Sequence, residues 1–271
     1  MSLYYNLTNE QVKEMVDNIG TNFLYQYRAD NEHTENIIKN SALWFSRPSE
    51  FNDPFECYSI LSSFSDSDVE KWLNIKESFL NATTNKQAEA RNRAMSMSEK
   101  DIKDYIDSKL NDILICCFSK TEKEVLMWSH YSDKHKGMCF QFDVEKDPKL
   151  FISPHIVEYV PSISPKNYFW EHTNEFIMQI ITTKCYKWCY EQEVRVIKYP
   201  DETNINYADK GKTFGFKPEA LRKIIFGCKA SRETISKYKS LCAYNGFSHV
   251  TFSQMQQKKD GSFKLEEKLN I

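Results

Sequence analysis

The sequence has no long apolar run and no excess of charge of either sign. No stretch approaches the roughly 20 apolar residues that a transmembrane helix needs. The N-terminal segment lacks the cationic start and apolar centre of a secretory signal. Lys and Arg (36) nearly balance Asp and Glu (38), which gives a formal net charge of -2. We therefore expect a cytoplasmic protein with no membrane partner, and nothing indicates general affinity for nucleic acid, which needs a basic surface.

Cysteine is present, but the spacing of a metal site is missing. The chain of 271 residues holds eight cysteines, and no two of them form a CxxC pair. Scattered cysteines without a secretory signal are typical of reduced thiols. Because structural zinc sites draw on paired ligands, we predict no metal site.

Strand and helix patterns follow one another without an internal repeat. Thr8-Asn9-Glu10-Gln11 is a capping box and Gly20 a stop signal, so the sequence predicts a helix over 8–20. The alternating, aromatic "NFLYQYR" (22–28) predicts a strand. Further strands are predicted over 42–46, 112–119, 138–143, 155–160, 188–198, 221–227 and 247–255, and further helices over 31–40, 121–137, 168–185 and 231–246. This mixture predicts an α+β fold with mixed, largely antiparallel sheets flanked by helices.

One polar stretch contains few strand-forming residues. Its apolar residues, such as Leu73, Ile102 and Ile106, recur at helical spacings. We therefore expect a single domain over 1–271 that carries a helical insertion over 62–111.

The segment "WCYEQEVRVI" (188–197) raises a question of charge. If it is a strand, Glu191, Glu193 and Arg195 share one face. Carboxylates on one face repel each other, and burying them is costly unless they are paired. Either Arg195 neutralises an exposed row, or the two acids have a function.

Three other stretches are rich in polar and aromatic residues, and each also has a structural explanation. Arg28 ends the strand "YQYR", where it can be a surface arginine whose stem packs on apolar neighbours. Asp53 lies in the turn sequence Asn-Asp-Pro. Trp128, Tyr131 and His135 share one face of the helix predicted over 121–137, where core packing explains them.

Four motifs together resemble a bacterial family, the domain of unknown function 2971. They are "LWFSRPSEFNDPFE" (43–56), "CFS" (117–119), "LMWSHYSDKHKGMCFQFD" (126–143) and "WCYEQEVRVI" (188–197). The likeness spans roughly residues 22–230. It implies a bacterial context of phage defence or toxicity, and by itself it implies no reaction.

A second resemblance concerns the order arginine, serine, then Glu-x-Glu on successive strands. In this order Arg28, Ser119 and Glu191-Gln192-Glu193 resemble the Arg-Ser-Glu class of ADP-ribosyltransferases. The resemblance implies an ADP-ribosyltransferase-like core and NAD as substrate. The acceptor would be a protein or a nucleic acid, and the sequence does not name it.

That resemblance assigns chemical roles to the residues. NAD loses nicotinamide through an oxocarbenium-like sugar, which a carboxylate stabilises. Glu193 would serve there, Glu191 would orient or deprotonate the acceptor, and Ser119 would complete the catalytic set. Arg28 would bind the pyrophosphate. The nicotinamide ring would need an aromatic face, which Tyr131, Trp128 or Phe45 would supply. Arg195 would keep the carboxylates ionised.

Two alternatives stay open. A hydrolase or nuclease could gather carboxylates around a divalent cation, and the acids available are Asp53, Glu56, Glu191 and Glu193. A non-enzymatic binding or sensor module would instead use aromatic grooves around Trp44, Trp128 and Trp188.

Overall fold

A computed structural model describes residues 7–170, 173–199, 211–262, 264–269 and 271. The chain divides into two compact units. The sheet unit comprises Met1–Ser46, Leu114–Val157 and Lys187–Ile271. The helical unit comprises Arg47–Ile113 and Glu158–Tyr186, so the insertion predicted over 62–111 falls within it.

The described residues form helices and strands in alternation. The strands are β1 (Phe23–Arg28), β2 (Ala42–Ser46), β3 (Leu114–Ser119), β4 (Met138–Asp143), β5 (Pro154–Ile156), β6 (Glu158–Val160), β7 (Thr183–Cys185), β8 (Glu193–Lys198), β9 (Gly211–Gly215), β10 (Leu221–Phe226), β11 (Thr251–Gln257) and β12 (Leu265–Leu269). The α-helices are α1 (Asn9–Ile19), α2 (Glu32–Asn40), α3 (Asp66–Ile75), α4 (Glu77–Leu80), α5 (Thr84–Met95), α6 (Glu99–Asn111), α7 (Val125–Tyr131), α8 (Thr173–Thr182) and α9 (Arg232–Tyr244).

Ten of the described strands, all in the sheet unit, form one sheet. Its order is β12-β11-β10-β4-β1-β3-β2-β9, and β8 pairs with both β3 and β5. Within this sheet the described pairs are antiparallel except β10 with β11. The predicted fold class, a mixed and largely antiparallel sheet flanked by helices, is confirmed.

Each face of the sheet packs against a different hydrophobic core, because side chains alternate along a strand. Leu24 of β1 lies in the larger core with Phe140 and Val194. Tyr25 and Tyr27 point to the opposite face and pack in a smaller core that contains Trp128 and Cys139. Both faces of β1 are therefore buried along most of its length.

Strands β1 and β3 pair directly at only one described position. Among the described residues their register pairs Tyr25 with Ser119, whereas β1 pairs with β4 over its whole length. Further along, the Gln26 amide donates to the backbone oxygen of Cys117 at 3.4 Å and lies 3.1 Å from the Cys116 sulfur. The side chain thus replaces backbone pairing where the two strands separate toward Arg28.

The prediction of a helix over 121–137 is wrong at both ends. The observed helix, α7, begins at Val125, because the Glu124 side chain accepts from the Leu126 N–H and caps the first turn. It ends at Tyr131, because the next residues turn into the left-handed region, which L-residues rarely enter in succession. Those residues are Asp133, Lys134 and His135, with φ of 41°, 55° and 70°.

Other predicted elements differ at their edges. The strand predicted over 155–160 is interrupted at Val157, whose N–H donates to the Glu193 oxygen. The helix predicted over 168–185 is α8 preceded by a 3-10 helix over Tyr168–Trp170 and followed by β7, and residues 171–172 lie outside the described residues. The last predicted strand, 247–255, begins only at Thr251, and β12 was not predicted.

The helical unit contains the four helices of the predicted insertion together with α8 and the short parallel pair β6–β7. Ser65 and Ser98 each close a capping box at the start of α3 and α6, which fixes where these polar helices begin. Lys184 and Glu56 form a buried ion pair at 2.8 Å. Among the described residues no helix is long and apolar enough to cross a membrane.

Candidate functional site

A pocket of about 630 Å³ opens in the sheet unit where β1 ends. It is lined by Tyr27, Arg28 and Ala29, by one face of α2, and by Ala42, Trp44, Thr213 and Tyr131. Its volume lies within the range of pockets that hold small-molecule ligands. The pocket is the candidate site.

Arg28 gives the pocket a positive charge that nothing in the described protein neutralises. Its Nε atom is buried and has no hydrogen-bond partner. None of the described residues that line the pocket is Asp or Glu. Burial lowers the pKa of the guanidinium, with an opposing effect of Cys116 and Cys117, yet an arginine stays protonated near neutral pH. An anion in this pocket would offset the cost of burying the charge.

The first turn of α2 lies next to Arg28. Asn31 caps the helix by accepting from the Thr34 N–H at 3.0 Å, and the Thr34 hydroxyl donates to the Ala29 oxygen at 2.7 Å. This second bond ties the residue after Arg28 to the helix. The positive end of the helix dipole therefore adds to the potential of the guanidinium.

The turn that follows α7 fixes the backbone of Arg28 from the other side. A Cβ atom on Gly137 would lie 2.1 Å from the Arg28 oxygen, so only glycine fits there. The Ser132 hydroxyl donates to the same oxygen at 3.4 Å. The Gly137 N–H donates to the Ser132 oxygen at 2.9 Å and closes the turn.

The left-handed residues 133–135 lie between these two anchors and are held against β10. A Cβ atom on Gly227 would lie 2.1 Å from the His135 oxygen, and the Lys229 N–H donates to that oxygen at 3.0 Å. Left-handed conformations of non-glycine residues cost on the order of 1–3 kcal/mol each and persist where the surroundings impose them. Hence the sequence "SDKHKG" is a rigid support for Arg28 rather than the end of a helix.

Tyr131 connects the pocket wall to a buried carboxylate. Its hydroxyl donates to Oε1 of Glu191 at 2.7 Å. Glu191 is only 3% exposed. The buried Ser119 hydroxyl donates to the backbone oxygen of Glu191 at 2.6 Å and accepts from the Thr121 N–H. Ser119 thus positions the backbone of Glu191, and Tyr131 orients its side chain.

The prediction that Glu191 and Glu193 share a strand face is wrong. Residues Tyr186–Glu191 form a 3-10 helix, Gln192 has a φ of 45°, and β8 begins at Glu193. The Gln192 N–H donates to the Cys189 oxygen, and the Gln192 oxygen accepts from the Lys120 N–H, at 3.2 and 3.0 Å. These bonds close a turn between the two acids, so the alternation of a strand does not apply across it.

Glu193 and Arg195 form a buried pair. Arg195 Nε lies 2.8 Å from Oε1 and Nη2 lies 3.2 Å from Oε2 of Glu193, a two-pronged contact. The Glu193 and Arg195 side chains are 5% and 0% exposed. Arg195 therefore does not neutralise an exposed row of carboxylates, which was one of the two explanations that the sequence allowed. Burial raises the pKa of the Cys117 thiol, and the negative charge of Glu193 raises it further. Neither Glu193 nor Ser119 lines the pocket.

Two of the three predicted rings have no free face. Phe45 and Trp128 are fully buried. Phe45 packs against Phe214 with ring centroids 4.8 Å apart, and Trp128 packs edge-on against Tyr27 at 5.1 Å. Neither ring can stack on a ligand in this conformation, so only Tyr131 of the predicted three lines the pocket.

The pocket also has lining residues that the sequence did not assign to an enzyme site. They include Trp44, His33, Asn36, Asn40 and Thr213. One signal was available in "ALWFS": if Phe45 faces the core, alternation turns Trp44 to the other side. The polar residues of α2 carried no such signal, because a solvated helix face has the same composition.

The carboxylates of the metal alternative have other contacts. Asp53 accepts from the Phe55 N–H at 2.9 Å, which confirms it as a turn residue. Glu56 pairs with Lys184. In the part of the chain that the structure describes, no group of three His, Cys, Asp or Glu could hold a metal ion.

Fold and pocket together define a mixed α/β protein with a cationic, partly aromatic pocket. Residues 127–196 match a family model described as "Protein of unknown function (DUF2971)". The family predicted from the sequence motifs is confirmed over those residues. They include the turn that supports Arg28 and both Glu191 and Glu193. No curated protein and no solved structure is significantly similar to the chain.

Proposed function

We propose that the sheet unit binds NAD in this pocket and uses it as a substrate, for ADP-ribosyl transfer or for NAD hydrolysis. One observation carries the proposal: Arg28, whose Nε is buried without a hydrogen-bond partner, lines a ligand-sized pocket whose described lining contains no carboxylate. A dinucleotide pyrophosphate supplies the oxygen acceptors that such a guanidinium binds in pairs. An ADP-ribosyltransferase-like core is part of the same proposal.

Glu191 is the carboxylate that we assign to the reacting sugar. Cleavage of the nicotinamide bond leaves positive charge on the ribose, and a fixed carboxylate nearby stabilises it. Glu191 is held by Tyr131, which lines the pocket, whereas Glu193 is engaged with Arg195. This assignment gives Glu191 the role that the sequence suggested for Glu193.

The ADP-ribose acceptor is a protein or a nucleic acid in this proposal. The toxin or phage-defence context implied by the family likeness would place that acceptor in the bacterial host or its virus. Labelled NAD incubated with the pure protein and a bacterial lysate would identify the acceptor through the transferred label.

Nicotinamide release tests the reaction. We expect Glu191→Gln to lower the rate about 100-fold or more, the size of loss seen when a transition-state contact is removed. The amide keeps an acceptor for the Tyr131 hydroxyl, so the fold should be retained. Glu219→Gln, at an exposed glutamate of the same unit, is the matched control. Equal release by wild type and Glu191→Gln would remove Glu191 from the mechanism.

A specific observation also favours a second candidate, a non-enzymatic ligand-binding module. Glu191 and Glu193 are 3% and 4% exposed, and neither lines the pocket. In that case NAD would bind with Arg28-dependent affinity, and no nicotinamide would be released by the wild-type protein. The metal-dependent alternative has no comparable observation in its favour among the described residues.

A further inference from the structure

We infer that Trp44 is a stacking subsite for a flat ring, so that the pocket selects a nucleotide over a simple anion. This inference deepens the proposed function, because it names the ligand class that the Arg28 pocket takes. It concerns recognition and is independent of whether the bound ligand reacts.

The direction of the Trp44 side chain follows from its strand. Leu43 and Phe45 on either side of it are fully buried in the core, whereas Trp44 is 39% exposed. Alternation therefore places the indole on the opposite face of β2, where it lines the pocket. An indole left in contact with solvent loses the free energy that burial would give, and stacking on a ligand ring would recover it.

The neighbour of Trp44 leaves room for a ring. Thr213 of β9 is its cross-strand partner, and it lines the same pocket. Side chains paired in this way lie next to each other on one face of the sheet. Because threonine is small, it can border a stacked ring at its edge without filling the space above the indole.

Helix α2 offers groups suited to the edge of a base. His33, Asn36 and Asn40 lie three and seven residues apart on one face of α2 and line the pocket. They span two helical turns, roughly 10 Å at 1.5 Å per residue. Each Asn amide can both donate and accept hydrogen bonds, the pairing that base edges require. A bare anion could accept from the amide N–H groups, but it has no donor for the amide oxygens and no ring for the indole.

The pocket thus combines the Arg28 cation, the indole of Trp44 and the amides of Asn36 and Asn40. Arg28 recognises the charge, and Trp44 recognises the ring. Base–aromatic stacking removed by alanine substitution typically weakens binding by about 5- to 150-fold. That factor should apply only to ligands that carry a ring, which gives the two residues separable effects.

Equilibrium titration of the full-length chain with ADP and with inorganic pyrophosphate separates them. We expect Trp44→Ala to weaken ADP binding about 5- to 150-fold and to leave pyrophosphate affinity within about twofold. Trp44→Phe should recover most of the loss. Tyr244→Ala, which removes an 88% exposed ring of the same unit, is the matched control and should change neither affinity. Arg28→Ala should weaken the binding of both ADP and pyrophosphate.

Each contrary outcome has one meaning. Unchanged ADP affinity in Trp44→Ala, or an equal loss for ADP and pyrophosphate, would overturn the stacking subsite. If Arg28→Ala left both affinities unchanged, the anion site and with it the proposed function would fail. Absence of ADP binding by the wild type would overturn the stacking subsite as well. Should Trp44→Ala be poorly folded, Trp44→Leu keeps the bulk, lacks an aromatic face, and must give the same selective loss.

Discussion

Gly137→Ala tests how the turn after α7 supports the pocket. The added Cβ would lie 2.1 Å from the Arg28 oxygen, and ordinary contact begins near 3.4 Å. The backbone must therefore yield by about 1.3 Å to restore ordinary contact. Because the Arg28 oxygen and the Gly137 Cα that would carry the new Cβ both belong to the backbone, no side-chain rotation relieves the contact. Overpacking of this kind costs about 1–3 kcal/mol in the free energy of unfolding.

The same displacement should move Arg28 relative to the pocket. We expect Gly137→Ala to weaken NAD binding, measured by titration calorimetry, as well as to lower stability in urea. Gly20→Ala is the matched control. Gly20 has a φ of 79° with nothing near its Cβ position, so alanine there costs about 1–2 kcal/mol through backbone strain alone. It should lower stability by a similar amount and leave NAD affinity unchanged.

A double-mutant cycle shows whether Gly137 acts through Arg28. In the Arg28→Ala background, Gly137→Ala should have little further effect on NAD affinity, because the group it displaces is gone. Full effects of both substitutions in the double variant would place Gly137 outside this route. Wild-type affinity and stability in Gly137→Ala would refute the close contact itself.

Three further predictions follow from the surroundings of the site. Glu193→Gln should destabilise the protein by about 3–5 kcal/mol in urea unfolding, because it removes the charge opposite the buried Arg195, and a loss below about 1 kcal/mol would contradict that role of the pair. Tyr131→Phe should lower the rate constant of nicotinamide release while NAD affinity changes little, since the hydrogen bond to Glu191 is lost and the ring that lines the pocket is kept; an equal loss in affinity would instead make Tyr131 a binding residue. Burial lowers the pKa of Lys198 from 10.5 to about 8, so below that value the folded state carries a poorly solvated charge. Lys198→Met should therefore stabilise the protein at neutral pH. The gain should shrink as the pH rises from about 8 toward 10.5, because in this range the unfolded wild type keeps the Lys198 proton that the folded wild type has lost. A gain that does not change with pH would contradict the lowered pKa of Lys198.

Local patterns predicted those elements whose ends the sequence marks. Alternation over 22–28 and 138–143 predicted β1 and β4 almost to the residue, and Thr8 with Gly20 predicted α1. The prediction succeeded there because alternation along the strands and the caps at both ends of α1 are signals that the local sequence carries.

Elements that depend on distant contacts were not predictable. The 3-10 helix before Gln192 is closed by the N–H of Lys120, which is 72 residues away in the chain. The left-handed turn at 133–135 depends on Gly227. β12, "LEEKL", reads as a charged tail, and its strand form follows from pairing with β11. No periodicity records such partners.

The candidate site shows the same division. Arg28 could be singled out from the sequence because it ends an aromatic strand and fits the Arg-Ser-Glu order, and it lines the pocket. The choice of ring was not, since Phe45, Trp128 and Trp44 differ in burial rather than in composition. The roles of Glu191 and Glu193 depended on the turn between them, which only the folded chain reveals.

Titration of NAD into wild type, Arg28→Ala and the exposed control Arg232→Ala tests the central claim most directly. A hydrogen-bonded charge contact is worth about 1.5–3 kcal/mol, so Arg28→Ala should weaken binding roughly 10- to 150-fold. Arg232→Ala should bind NAD as the wild type does. Equal affinity of all three proteins for NAD, with the thermal stability of Arg28→Ala unchanged, would contradict the claim that this guanidinium holds the ligand.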